Sequence, residues 1–557
     1  MMLKNAANTK DKTVKECIFS ILTPIVQKYK QSLAVATCLI SLLCNHEHAS
    51  KSIAELMEQF VEKHANSQFV GDIIREIGKL DSDQVGNDSA AIKNVASFIV
   101  YVSQQVPKLV LQNISVIVPH LDGESYMMRN AVVQAIGFIV SNALSPNQGE
   151  NNAETQDLGD NAESSSSTRD SLLDILEERF KDVNAFTRSK TIQTWDHLCK
   201  LKLVPINRLM VVTELTVGRL QDKTAHVRKN AIQFLKTILL YNPFSGNLNL
   251  KAFTSKLEEC EQRLAKRHGE IVPQSQMEEG THREEKEKMK AVEQATKDLK
   301  LRTYLKVSIS FIELIHSAFS TLVQLLGSKN ATDTLETIDF FQVAFSFNIE
   351  EARVGLEKAI MLLSRDNKTI KEAIVDAYNK TYLRVPPQIE SNKKQGAMFV
   401  ANNLIQLTKN ASLGFLTSME LLVKELMNEK FVSKNVIKAL WEIFEAGATL
   451  KEPLVVSIRE NVESNCKGAL MVLSMLGEMD PSIIKSNLKK LIDVGMNTER
   501  WKRDADFARC VCIALQKLGK TPKRMVEEEE KKKEKQDKRK SFVIGINNGF
   551  FYGLVVS

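Results

Sequence analysis

The sequence is poor in the residues that break regular structure, with 23 glycines and 12 prolines in 557 residues. Few turn-makers leave long uninterrupted elements. Aromatic residues make up only 6% of the chain, which argues against an all-β architecture. Eight cysteines, at 17, 38, 44, 199, 260, 466, 510 and 512, show no framework spacing. In a chain this long they read as reduced thiols of the cytosol or nucleus rather than as staples. No charged segment followed by an apolar run opens the sequence, so no secretory signal is expected. No clean membrane-length apolar run is present either. The best stretch, 95–118, is interrupted by Gln104, Gln105, Pro107, Lys108, Gln112 and Asn113. Neither sign of charge dominates: the net charge is +7, too small to demand nucleic acid as a partner of the whole molecule.

The motifs of covalent chemistry are missing as well. There is no Gly-rich phosphate loop ending in Lys-Ser/Thr, no Gly-x-Ser-x-Gly, no His-Glu-x-x-His and no paired Cys-x-x-Cys. The run Cys44-Asn-His46-Glu47-His48 gathers three ligand types, yet no second half of a tetrahedral site accompanies it, so it reads as a polar helix end. No catalytic residue, cofactor, metal or small-molecule substrate is expected, and no membrane.

What is present is helical periodicity. In "TVKECIFSILTPIVQKYK", Val14, Cys17, Ile18, Ile21 and Leu22 keep a 3.6-residue spacing, and Pro24 predicts a kink or break. Ser52 and Glu55 read as a capping box for "SIAELMEQFVEKH". Residues 1–141 are therefore expected to be helical repeats. Residues 142–169 are polar, acidic and Ser-rich, and are expected to be a disordered loop. Repeats resume over 170–250. Residues 251–305 mix Glu and Lys at i,i+4 spacing and read as an exposed, charged helical insertion. Repeats return over 306–519. Residues 520–557 hold a charge block and then "SFVIGINNGFFYGLVVS", whose glycines spoil a membrane helix; a tail anchor is the minor alternative there.

A repeat organises these helices. "FKDVNAFTRSKTIQTWDHL" (180–198) lies over "LQDKTAHVRKNAIQFL" (220–235) with Asp182 on Asp222 and Arg188 on Arg228, an interval of 40. "LDGESYMMRNAVVQAI" (121–136) matches the latter with Asp122 on Asp222 and Asn130 on Asn230. A period near forty, helical throughout, predicts an all-α solenoid of HEAT or armadillo type, because one helix pair cannot cover its own apolar face. Each Asp is expected to serve the turn before a helix, and each Arg to reach the Asp of the next unit. Exposed pairs of that kind contribute only about 0–1 kcal/mol each. Among many basic residues between 179 and 229, Lys181, Lys190, Lys223 and Lys229 could follow a phosphate backbone, or simply form a solvated face. No interleaved aromatics point to base stacking, so such contacts would ignore base sequence.

The wording of "IVPHLDGESYMMRNAVVQAIGFIV" (117–140), "RDSLLDILEERFKDVNAFTRSKTIQTWDHL" (169–198) and "LTVGRLQDKTAHVRKNAIQFLKTILLYNPF" (215–244) closely resembles the condensin complex subunit 1 family, the large HEAT-repeat, non-SMC subunit of condensin I. A looser likeness continues through "SRDNKTIKEAIVDAYNKTYL" (364–383) to about residue 519. The resemblance implies a non-catalytic scaffold that docks on a kleisin chain beside the SMC subunits. Its implied role is to help hold chromatin DNA during mitotic chromosome condensation, in the nucleus, on mitotic chromosomes and also in the cytoplasm. Family members are longer, so the sequence reads as a middle segment that starts inside the array, and residues 541–557 match nothing in the family. A HEAT-type transport receptor or phosphatase scaffold shares the architecture without the chromosome role.

Overall fold

The computed structural model describes residues 2–63, 66–78, 89–144, 160–271, 282–409, 411–447, 456–496, 501–502 and 504–519. Among them there is no strand. They divide into two compact units, Met1–Glu351 and Ala352–Ser557.

The longer helices of the first unit are α1 (Lys12–Gln27), α2 (Ser32–Asn45), α3 (Ala49–Glu62), α4 (Ser67–Gly78), α5 (Ala90–Gln105), α6 (Tyr126–Asn142), α7 (Asp160–Glu178), α8 (Ala185–Lys200), α9 (Ile206–Arg219), α10 (Ala225–Leu240), α11 (Leu250–Ile271), α12 (His282–Leu325) and α13 (Ala331–Ser346). One row of them packs in sequence: α3 on α5, α5 on α6, α6 on α8, α8 on α10, and α10 on α13. The seam between neighbours is apolar, with Phe60, Phe98, Ile136, Trp195, Phe234 and Phe340 all buried. Each such side chain contributes about 1.5–3 kcal/mol on leaving water. The expected all-α stack of helical pairs is therefore what this unit shows.

The second unit contains α14 (Glu350–Ile360), which starts at its edge, then α15 (Lys368–Tyr378), α16 (Lys393–Thr408), α17 (Leu413–Asn428), α18 (Lys434–Ala446), α19 (Val456–Met479), α20 (Leu488–Gly495) and α21 (Ala505–Gln516). Here α19 is central and packs on α16, α17, α18 and α21. Gly468 lets α19 approach α16 closely: a Cβ there would lie 2.7 Å from Thr408 Oγ1 and 2.8 Å from Ile405 Cγ2.

Several local expectations are corrected. Helix α7 begins at Asp160, so the last ten residues of the polar segment 142–169 are helical; residues 145–159 lie outside the described residues. The charged insertion over 251–305 is not a lone exposed helix. Its two arms, α11 and the start of α12, pack on each other, and Cys260, Asp298 and Leu305 are buried between them. Helix α12 then runs to Leu325 without a break at 305. By length and composition its stretch Glu293–Leu325 could cross a membrane. One side of it, with Phe311, Ile312, Ile315, Ala318 and Leu322, is buried in protein, and α9 and α13 pack on it. Pro24 stays inside α1 near its end. Ser52 is not a cap: α3 starts earlier, and Ser52 is buried within it. The expected tail over 520–557 lies outside the described residues.

Candidate functional site

The repeat residues meet at the turns that precede α8 and α10. Asp182 Oδ1 accepts the backbone N–H of Asn184 at 2.8 Å, and Asp222 Oδ1 accepts that of Thr224 at 3.0 Å. Each carboxylate thus closes its own turn two residues on. Its remaining capacity faces the preceding helix of the row. Arg188 of α8 donates through Nε to Asp222 Oδ2 at 2.8 Å and through Nη2 to Oδ1 at 2.9 Å. Arg129 of α6 does the same to Asp182, at 3.0 and 3.3 Å. Arg228 of α10 donates to Asp333 at the start of α13, at 3.2 and 2.6 Å.

The third donor of each guanidinium completes the pattern. Nη1 of Arg188 donates to the carbonyls of Asp182 and Val183, six and five residues back. Arg228 uses Asp222 and Lys223, and Arg129 uses Gly123 and Glu124. One Arg therefore ties its own turn to the carboxylate of the next unit. Planar, five-donor geometry suits Arg to that task and excludes Lys.

This geometry corrects the register read from the sequence. The residue equivalent to Asp182 and Asp222 is Gly123, not Asp122. Asp122 is exposed, with Arg179 3.7 Å away. Asn130 shifts likewise. Asn230 is buried and donates to Ser189, whereas Asn130 is half-buried on α6 with no partner for its Oδ1. Sequence reasoning missed Arg129, which a gapless match lays under Lys229. It also missed Asp333, which the α11–α12 hairpin separates by 105 residues from its arginine. The expected exposure was also wrong. The carboxylates of Asp182, Asp222 and Asp333 are 4%, 3% and 0% exposed, so these are buried pairs. Burial pushes the Asp222 carboxyl up, but the hydrogen bonds from Arg188 and Thr224, with the charges of Arg188 and Arg219, hold it below the ordinary range. The sequence also offers Asp366, ahead of Lys371 and an apolar helix, as a looser copy of the unit; in the second unit Asp366 is exposed and joins no such pair among the described residues, and Asn367 caps α15.

The four candidate lysines differ in their surroundings. Lys181 and Lys223 are exposed, in the turns before α8 and α10. Lys229 lies 3.7 Å from Glu336 of α13. Lys190 is half-buried on α8, and desolvation pushes its pKa down. Three rings line the starts of the same helices: Tyr126 stacks on Phe186 at 5.6 Å, and Phe186 lies 6.3 Å from His226. The polar run at 44–48 forms no metal site. Glu47 pairs with Lys93 at 2.8 Å, His48 lies 3.1 Å from the Leu3 carbonyl, and no group of three potential ligands exists among the described residues.

No family model matches the chain. Among solved structures, Kap121p superposes with a TM-score of 0.37 at 12% identity, over 93% of this chain and 49% of that one. The Kap95:Nup1 complex gives 0.35 at 12%, over 93% and 65%. Both fits are too loose to bear on function. Curated sequences match further. The Condensin-1 complex subunit CAP-D2 of Arabidopsis thaliana is 27% identical over 94% of this chain and 38% of its own length. Condensin complex subunit 1 of Xenopus laevis is 25% identical over 93% and 44%, and that of Saccharomyces cerevisiae 27% over 93% and 46%. The chain spans less than half the length of these relatives. The resemblance read from the sequence is borne out: along more than nine-tenths of its length the chain is similar to the plant CAP-D2 subunit and to condensin complex subunit 1 of frog and yeast.

Proposed function

We propose that the chain is a non-catalytic scaffold segment of a condensin complex, docking on a kleisin chain beside the SMC subunits and supporting mitotic chromosome condensation. The observation that carries this reading is the alignment with condensin subunits along nearly the whole chain. A row of helices locked by buried Arg–Asp pairs suits the role, since a scaffold must keep its units in fixed order while a partner lies across them. The site of action is the nucleus and the mitotic chromosome, with a cytoplasmic pool.

Contact with DNA is a second part of the proposal. Lys181 and Lys223 are exposed basic residues of the turn edge without an ion pair among the described residues, whereas Lys229 faces Glu336 and Lys190 is half-buried. Exposed lysines at successive turns attract phosphates without reading bases.

The test is affinity purification of the tagged chain from mitotic cells, with partners identified by mass spectrometry. Recovery of kleisin and SMC proteins is the expected result. Recovery of a Ran-type GTPase without a kleisin would replace this reading with that of a transport receptor.

A further inference from the structure

Arg129, Arg188 and Arg228 occupy equivalent places in α6, α8 and α10. Five residues beyond each stands a glutamine: Gln134, Gln193 and Gln233. About 1.4 turns further along each helix, these side chains lie off the buried apolar seam, on the outward side of the row. Gln193 is exposed, and Gln134 and Gln233 are half-exposed. Gln233 Nε2 donates to Glu336 of α13 at 2.8 Å, which leaves its carbonyl oxygen as an acceptor. Gln134 Nε2 donates to its own helix at Asn130, leaving the same atom available. Gln193 keeps both a donor and an acceptor for whatever lies over α8.

A carboxamide is the one side-chain group that matches a peptide bond donor for acceptor. Packed helices sit about 8–10 Å apart, and an extended chain advances about 3.3 Å per residue, so a strand crossing the row meets a glutamine about every third residue. The charge pattern along the row is uneven. Among the described residues Lys190 has no ion pair, whereas every arginine of the ladder has one. A half-buried ammonium without a counter-charge is costly, and burial already lowers its pKa. An anion arriving over α8 removes that cost. At the far end Glu336 and Asp339 of α13 face Lys229 and Lys236, so no spare positive charge is left there. A duplex backbone, anionic along its whole length, fits such a row poorly. A chain with one local acidic step fits it well. At the starts of the same helices, Phe186 is 59% exposed and offers an apolar contact.

We propose that the outward face of α6, α8 and α10 holds an extended peptide segment, its backbone on Gln134, Gln193 and Gln233 and an acidic side chain on Lys190. This deepens the scaffold reading and rests on it: the segment is part of the chain that the scaffold carries.

The test is fluorescence anisotropy with the full chain. The probe is a labelled, proline-free peptide of about twelve residues, long enough to cross three helices, with two central glutamates. A twin peptide carries glutamines in their place. The glutamate peptide is expected to bind about tenfold more tightly than its twin, as for one charge-assisted contact. Lys190→Gln should abolish that difference. Gln193→Glu, at an exposed position that carries no packing, should weaken the glutamate peptide about tenfold by placing a like charge beside its acid. Equal binding of the two peptides, no binding of either, or binding indifferent to both substitutions would overturn the proposal. So would displacement of the peptide by a duplex whose own binding needs Lys190, which would make the row a phosphate surface. Loss of peptide binding with kleisin and SMC proteins still recovered sinks the peptide-binding face alone. Peptide binding without their recovery sinks the scaffold reading instead.

Discussion

At the scale of single residues, the buried carboxylates decide most. Asp222 is held by two donors of Arg188, and neither group faces much water. Such a pair gains little over an apolar replacement, but breaking it strands a buried charge. Arg188→Ala is expected to cost about 3–5 kcal/mol, read by urea denaturation. Arg188→Lys should recover only part of that, because one ammonium cannot serve two carboxylate oxygens and two carbonyls together. A cost within about 0.5 kcal/mol, as for a plain surface site, would refute this account. The pH dependence has a definite sign. The Asp222 carboxyl is held low in the folded chain. Its contribution is therefore complete above the unfolded value of about 4 and is lost as pH falls through the lower folded value. Chemical denaturation between neutral pH and about pH 3 should show this loss in the wild type and less of it in Asp222→Asn. Thiols offer a separate check. Burial pushes the Cys199 thiol up to about 12, whereas Cys17, Cys38 and Cys512 are exposed. Alkylation of the folded chain at neutral pH should label those three and spare Cys199; mass spectrometry of the digest reads the outcome.

At the scale of elements, helix type was legible and helix context was not. The 3.6-residue pattern and scarce turn-makers were enough to predict an all-α chain. The caps were less legible. Ser52 and Glu55 have the spelling of a capping box, but α3 starts at Ala49, and the interior seam takes Ser52. The charged stretch 282–305 looked like a helix in water because its Glu and Lys spacing says nothing about α11 opposite. Helix crossings were also invisible. Gly137 of α6 lies where a Cβ would come within 2.5 Å of Thr194 Cγ2 on α8. Gly137→Ala gains about 1 kcal/mol of helix propensity but forces the two helices apart, which costs about 1–3 kcal/mol. A net loss, seen as a lowered urea midpoint, is expected. A clear gain in stability would show that the crossing has room to spare.

At the scale of the molecule, a row of nearest-neighbour contacts predicts how damage spreads. Each helix of the row touches mainly the one before and the one after. In such an array, stability is a sum over units and their interfaces. Hydrogen exchange on Arg188→Ala should therefore speed most in α8, α6 and α10, and leave α16, α18 and α19 of the second unit near their wild-type rates. Uniform acceleration over both units would point to one global cooperative unit instead.

The sequence alone determined the helical class, the forty-residue interval and the likeness to condensin subunit 1, because each is a local pattern repeated along the chain. It also determined that Asp182, Asp222, Arg188 and Arg228 belong to one recurring unit. Only the tertiary structure decided who pairs with whom. Gly123 replaces Asp122 in register because the test is which carbonyls Arg129 caps, and no alignment measures that. Asp333 joins the ladder across an inserted hairpin because α10 and α13 are neighbours in space, not in sequence. The same packing turns Lys229 toward Glu336 and leaves Lys190 without an ion pair among the described residues. Charge along a helix is written in the sequence, but its neutralisation depends on the helix lying beside it.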